Sequence, residues 1–175
     1  MPPQLDPSST AISEDVARSF YHSRQYDKAI EASNKTRELN PNYHTLEGWL
    51  NAAYEKQGLY DQAIAERQKA LTAIGAEQTR ISALDAAYRG AGWRGYWQKE
   101  LELSTEQAKT SYVLPYNQAR ICARIGDIDR AFEWLDKAYR QHCDHLVLLK
   151  VDPILDPLRS DPRYRDLLQR VGLEN

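Results

Sequence analysis

Cysteine is almost missing from this chain: Cys122 and Cys143 are the only two in 175 residues. A single pair is too few for a disulfide framework and fits a reducing compartment, so a cytoplasmic location is expected. Long apolar runs are missing too. The longest, Leu146-Val147-Leu148-Leu149, falls far short of the roughly 20 residues that a membrane span needs, and no membrane partner is expected. Charge of one sign is not in excess, because 23 Lys and Arg stand against 25 Asp and Glu for a net charge of −2. No global field therefore draws the chain to nucleic acid or to an anionic surface. The opening residues, Met1 to Thr10, have neither a basic region nor an apolar core. They are not expected to be a signal peptide, and their Pro and Ser content reads residues 1–9 as a disordered lead-in or linker.

The usual marks of catalysis are also lacking. Gly90, Gly92 and Gly95 come close to a glycine-rich loop but lack the Lys and the preceding strand that a phosphate cradle requires. No Ser or Cys sits in a recognisable nucleophile turn. Acidic neighbours such as Glu14-Asp15 fall on helix surfaces, where solvated charge is the default. His142-Cys143-Asp144-His145 offers zinc-type ligands, but no second Cys/His pair follows to complete a tetrahedral set, and a polar loop is the expected reading. The chain is thus expected to have no enzymatic activity, no cofactor and no metal.

What is present is a period. Gln25-Tyr26-Asp27-Lys28-Ala29-Ile30 returns 34 residues later as Leu59-Tyr60-Asp61-Gln62-Ala63-Ile64, and again as Ile128-Asp129-Arg130-Ala131-Phe132. Gly58, Gly92 and Gly126 keep the same step, with Arg24 in the equivalent place of the first copy. Counting from Thr10 gives units 10–43, 44–77, 78–111 and 112–145, followed by a tail over 146–175. Each unit reads as two helices around a short turn. In the second, Leu46, Leu50, Ala53 and Tyr54 recur at helical spacing before Gly58; Ala63, Ile64, Ala70, Leu71 and Ile74 follow before Gly75. Pro41 is expected to force Asn40 out of the helical region and close the first unit.

These residues carry a specific resemblance. The units resemble tetratricopeptide repeats, whose pattern sets apolar, small and aromatic residues on the first helix and Gly at the turn. An aromatic and an Ala then open the second helix, and a small residue and a Pro close it. The second unit supplies Leu50, Tyr54, Gly58, Tyr60, Ala63 and Ala70, with Asn51 a departure. The first supplies Val16, Ala17, Phe20, Tyr26, Ala29 and Pro41, with Thr36 in the late small place. The fourth supplies Ala119, Gly126, Ala131 and Ala138, but Gln118 and Cys122 replace an apolar and an aromatic residue. The match covers about four-fifths of the chain. It implies an all-α fold, a right-handed superhelical solenoid of helix-turn-helix repeats closed by a C-terminal capping helix.

The third unit departs furthest. Its turn reads Gly92-Trp93-Arg94-Gly95-Tyr96-Trp97, with Trp97 in the place of Ala and Gly95 in the place of Asp. Either the helix pair is splayed and Trp93, Tyr96 and Trp97 fill the space as core, or some of these rings line a ligand pocket opened by the distortion. In the tail, Asp152-Pro153, Asp156-Pro157 and Asp161-Pro162 are helix-start signals, and a last helix is predicted from Pro162 to Val171, ended by Gly172. This tail, the third-unit turn and Tyr112-Val113-Leu114-Pro115-Tyr116 are similar to the C-terminal repeat segments of bacterial multidomain regulators, in which such repeats follow winged-helix or Ser/Thr kinase domains. Residues from about 75 to 173 carry that likeness, and nothing in them resembles the DNA-binding or kinase parts.

The resemblance implies that the first helix of each unit lines a concave groove. The positions concerned include Arg18 and His22, Trp49 and Lys56, Arg89, and Tyr116, Asn117, Arg120 and Arg124. Arginine interleaved with aromatic rings suits an acidic or C-terminal peptide segment, because the guanidinium grips carboxylates in a fork. A chaperone-tail clamp is disfavoured, since its Lys and Asn positions here hold Glu14, Arg18, Trp49, Thr79 and Ala83. The expected function is a non-catalytic module that binds a peptide or protein partner. Self-association into a homo-oligomer and a small-ligand sensor segment of a larger regulator are the alternatives.

Overall fold

The computed structural model describes residues 10–39 and 47–174, nearly all of them in helices or in the segments that join them. The lead-in over 1–9, Leu46 and the break expected at Asn40-Pro41 lie outside the described residues. Two compact units are present, divided between Ile81 and Ser82. Among the described residues no helix is long and apolar enough to cross a membrane.

The first unit holds α1 (Thr10–His22), α2 (Tyr26–Leu39), α3 (Glu47–Lys56) and α4 (Tyr60–Ala73). α1 packs on α2, α2 on α3 and α3 on α4, and α1 also touches α3. The hairpin turns share one geometry. Arg24 (φ 64°) and Gly58 (φ 73°) take the left-handed conformation. Gln25 N donates to Phe20 O and Leu59 N to Tyr54 O, both at 2.9 Å, while Arg24 N reaches Tyr21 O and Gly58 N reaches Glu55 O, both at 3.0 Å. This pair of bonds satisfies the last carbonyls of the first helix and reverses the chain. The next helix then starts at once, with Ala29 and Ala63 at its crossing, 0% and 1% exposed. Around Ala29 the core gathers Tyr21, Ala52 and Ala53, with Phe20, Tyr26, Ile30 and Trp49 packed against it. Arg37 of α2 grips the buried Glu66 of α4 through both guanidinium nitrogens, and Lys69 adds a bond of 2.9 Å.

The second unit takes in most of α5 (Gln78–Gln107), then α6 (Pro115–Ile125), α7 (Ile128–Arg140), two 3-10 helices (Asp144–Leu148 and Pro153–Leu158) and α8 (Pro162–Val171). The α6–α7 turn repeats the geometry of the first unit: Gly126 has φ 76°, and Asp127 N donates to Cys122 O at 2.9 Å. Ala131 at its crossing is fully buried. Asp127 also caps α7 by accepting from Arg130 N at 3.2 Å. Two of the three expected Asp-Pro signals act as caps, Asp152 on Ile154 N at 3.0 Å and Asp161 on Arg163 N at 2.9 Å, whereas Asp156-Pro157 starts no helix and lies inside the Pro153–Leu158 3-10 helix. α8 packs on α7. Arg163 bonds Asp129 at 2.9 Å and Arg170 bonds Asp136 at 2.8 Å, and each guanidinium lies over a ring of α7, Phe132 and Tyr139.

α5 is not one straight rod. Ala91 (φ −141°, ψ 17°) and Gly92 (φ 63°, ψ −156°) leave helical geometry, and the Gly92 values belong to a region open to glycine almost alone. The break falls 34 residues after Gly58, but the conformation differs from the other turns because Trp97 occupies the Ala place. Trp97 and Tyr96 are 2% and 0% exposed, and their rings meet edge to face at 5.4 Å. The chain just past the break runs so close to the preceding turn that a Cβ on Gly95 would sit 2.5 Å from Ala91 Cβ and 2.9 Å from Ala87 O. Gly90, by contrast, has open space around it. Gly95→Ala should therefore cost roughly 1–3 kcal/mol through overpacking, whereas Gly90→Ala should be neutral or stabilise by up to about 1 kcal/mol. Urea unfolding of the two variants beside the parent reads the difference, and equal midpoints would contradict the close approach.

Candidate functional site

The residues expected to line a groove divide into those that offer a surface and those that the fold already uses. In the first unit, α1 and α3 lie side by side. Arg18 is exposed on α1, with its guanidinium 2.7 Å from Asp15 one turn back. Trp49 on α3 is half-buried, and its indole N–H points at Glu14 Oε1 of α1 at 3.4 Å. The His22 ring stands edge-on to both Tyr21 and Trp49, with centroids 5.3 Å away in each case. Lys56 ends α3, half-buried. The result is a half-exposed aromatic patch of His22 and Trp49 on two helices that also carry the cations Arg18 and Lys56.

The second unit treats its equivalents differently. Tyr116 is 1% exposed, and its hydroxyl donates to Asp152 Oδ2 at 3.1 Å. Arg120 Nε lies 3.0 Å from the same oxygen. Asp152 is itself 1% exposed, and its other oxygen caps the second 3-10 helix. Burial, then the neighbouring Asp152 carboxylate, push the Tyr116 phenol far above its ordinary range, so it remains a neutral donor. The Arg124 guanidinium lies over the Trp97 ring, 4.1 Å from its centroid, which packs α6 against α5. Of the α6 set, Asn117 is exposed. Arg89 on α5 is exposed and paired with Asp85 at 2.6 Å.

Tyr96 and Trp97 are core, so neither ring lines an open cavity; Trp93 is half-buried and stacks on Tyr96 at 6.3 Å. A cavity of about 920 Å³ does exist in this unit, lined by other residues, chiefly along the second half of α5. Sequence reasoning passed over it, and it passed over Asp152 as more than a cap. The departure at Gln118 also finds its reason here: buried on α6, it accepts from Ser104 Oγ of α5 at 2.9 Å, a polar pair in place of an apolar contact.

The metal-type cluster narrows to Cys143, Asp144 and His145, whose donor atoms lie within 4.8 Å of one another. His145 Nδ1 is already 2.7 Å from Asp144 Oδ1, and this bond holds the Asp144 carboxyl below its usual range. All three donors come from consecutive residues at the start of one 3-10 helix. Cys122, in contrast, is fully buried, and burial pushes its thiol up to about 11. No family model matches this chain, and no curated protein matches it significantly.

Two outcomes follow from these placements. Asp152→Ala leaves Arg120 beside an empty site and should cost roughly 3–5 kcal/mol; Tyr116→Phe, which removes one donor, should cost about 0.5–1.5 kcal/mol. Denaturant unfolding measures both, and a neutral Asp152→Ala would show that the hub contributes nothing. A thiol reagent in mildly alkaline buffer should modify Cys143 at once and Cys122 only after unfolding, because a buried thiol with a raised pKa yields little thiolate. Equal labelling rates would refute the burial of Cys122.

Proposed function

We propose that this chain is a tetratricopeptide-type interaction module without catalytic activity, holding a peptide or protein segment against the first helices of its repeats. The observation that carries the reading is the recurrence of one turn. Arg24, Gly58 and Gly126 have φ values of 64°, 73° and 76°, at sequence intervals that are multiples of 34. The backbone bonds around them also recur residue for residue. Helix pairs closed by identical turns at a fixed interval are what a stacked repeat protein is built from, and such proteins act through extended faces.

The binding surface best supported is the pair α1 and α3. Trp49 and His22 supply partly buried ring area of the kind that anchors interfaces, although both His22 ring nitrogens are buried and the Trp49 N–H is turned to Glu14. Arg18 and Lys56 add positive charge, so the partner segment is acidic or ends in a free carboxylate. The exposed ion pair of Arg18 with Asp15 is worth only about 0–1 kcal/mol and can be exchanged for a partner carboxylate at little cost. Tyr116 and Arg120 take no part, because both are committed to Asp152. On this reading the chain is the protein-binding end of a larger bacterial regulator or a stand-alone relative of one.

Charge reversal tests the surface. The double variant Arg18→Glu, Lys56→Glu should stay folded, at a cost of about 0.5–2 kcal/mol because Lys56 is half-buried. It should also lose at least nine-tenths of the specific partner captured from a cell extract and quantified by mass spectrometry. Full capture by a folded double variant would sink the assignment of this face.

A further inference from the structure

The cavity of about 920 Å³ in the second unit is a groove with an unusual wall. Arg94, Gln98, Leu101, Glu102, Thr105, Glu106 and Lys109 line one side, and Ile125, Gly126, Asp127 and Arg130 face them. The first set is a stripe along α5 with Lys109 just past its end, and the second is the end of α6, the turn and the start of α7. The floor is apolar, since Leu101 and Ile125 are buried at 5% and 9% exposure. The rim is charged, and its charges are nearly all answered locally. Glu106 pairs with Lys109, Glu102 with Lys99 at 2.6 Å, and Asp127 with Arg130 at 3.6 Å. Arg94 is the exception: it is exposed and makes no ion pair among the described residues.

The geometry points to a second docking site, separate from the α1–α3 face, that takes an extended segment of a partner protein in which a carboxylate and an apolar side chain are three residues apart. The carboxylate answers Arg94, the uncompensated charge of the rim, and the guanidinium fork favours a carboxylate over other anions of a polypeptide. The apolar side chain covers Leu101 and Ile125. Arg94 and Leu101 are seven helical residues apart, about 10 Å along the axis, which a chain extended in the polyproline II form covers in about three residues, with the side chains at the two ends of that step on one face. Gln98 lies between them, where its amide can bond the partner's backbone, and Thr105 continues the same row. A lining this polar does not suit a small apolar ligand, which calls for mostly hydrophobic walls.

A phage-displayed library of random octapeptides, selected against the intact chain, offers the groove every spacing of acidic and apolar residues at once. The expected result is enrichment of Asp or Glu three positions from Leu, Ile or Phe. Selected peptides, fluorescein-labelled and titrated by fluorescence polarisation, should lose at least tenfold in affinity for Arg94→Glu and for Thr105→Arg, which fills the groove. The same peptides should bind Arg18→Glu, Lys56→Glu as they bind the parent, so failure of this site and failure of the α1–α3 face are read separately. Circular dichroism confirms that each variant is folded. Selection with no acidic–apolar spacing, or peptides indifferent to both groove variants, overturns the proposal. So does a dimer in solution that Arg94→Glu converts to monomer, because the occupant is then a second copy of this chain.

Discussion

Two helices joined by a turn of two or three residues pack closely only if the turn reverses the chain in little space and the crossing carries a small side chain. Arg24, Gly58 and Gly126 meet the first condition with left-handed backbone; Ala29, Ala63 and Ala131 meet the second by vanishing into the contact. The two conditions are coupled, because the bonds that close the turn fix how the second helix leaves it. Glycine removes the strain of the left-handed residue, which costs other residues about 1–2 kcal/mol. The first hairpin accepts that cost at Arg24, where its aromatic core of Tyr21, Phe20, Tyr26 and Trp49 is dense enough to hold the turn in place.

The third helix pair shows what happens when the second condition is dropped. A Trp at the crossing cannot be buried between helices at the spacing an Ala permits. The chain answers with glycine twice: Gly92 adopts a conformation closed to other residues, and Gly95 lets the backbone pass where a side chain would collide. Trp97 then becomes an anchor. Arg124 lies over its ring, and Ser104 meets Gln118 further along, so α5 is tied to α6 through long side chains. The groove along α5 borders this region, and its floor residues Leu101 and Ile125 flank the same helices.

Local features of this fold are legible in the sequence because glycine, proline and aspartate punctuate it by local physics. Gly58, Gly75, Gly126 and Gly172 all take positive φ at helix ends, and the Asp-Pro steps at 152 and 161 start helices. The all-α class is expected from the resemblance to tetratricopeptide repeats together with the helical spacing inside each unit. The fate of Tyr116 and Arg120 could not be read this way. Arg120 on α6 stands in the register of Arg18 on α1, and Tyr116 one place before the register of Trp49 on α3, and nothing local separates the two cases. What decides them is Asp152, more than thirty residues away, and only the folded tail brings it there. Likewise Arg94 lies in a turn that reads as irregular, and its isolation is visible only once every neighbouring charge has found a partner.

The tail therefore decides which faces of α6 stay open as well as adding stability. By placing a buried carboxylate against Tyr116 and Arg120, it turns one face of α6 from surface into core. A buried ion pair of this kind is costly to break and contributes little net stability over an apolar contact of the same shape. Its value lies in orientation: Asp152 must accept from Tyr116, meet Arg120 and cap the Pro153–Leu158 helix at once, and few placements of the tail satisfy all three. Leu149, Ile154, Leu155 and Leu158, each buried to 2% exposure or less, supply the affinity that the polar hub lacks. A carboxylate held by an aromatic hydroxyl and an arginine on a first helix is also the contact expected for a partner's acidic segment. The chain's own tail occupies that position on α6, so the two docking faces we propose are those where Arg18 and Arg94 are exposed.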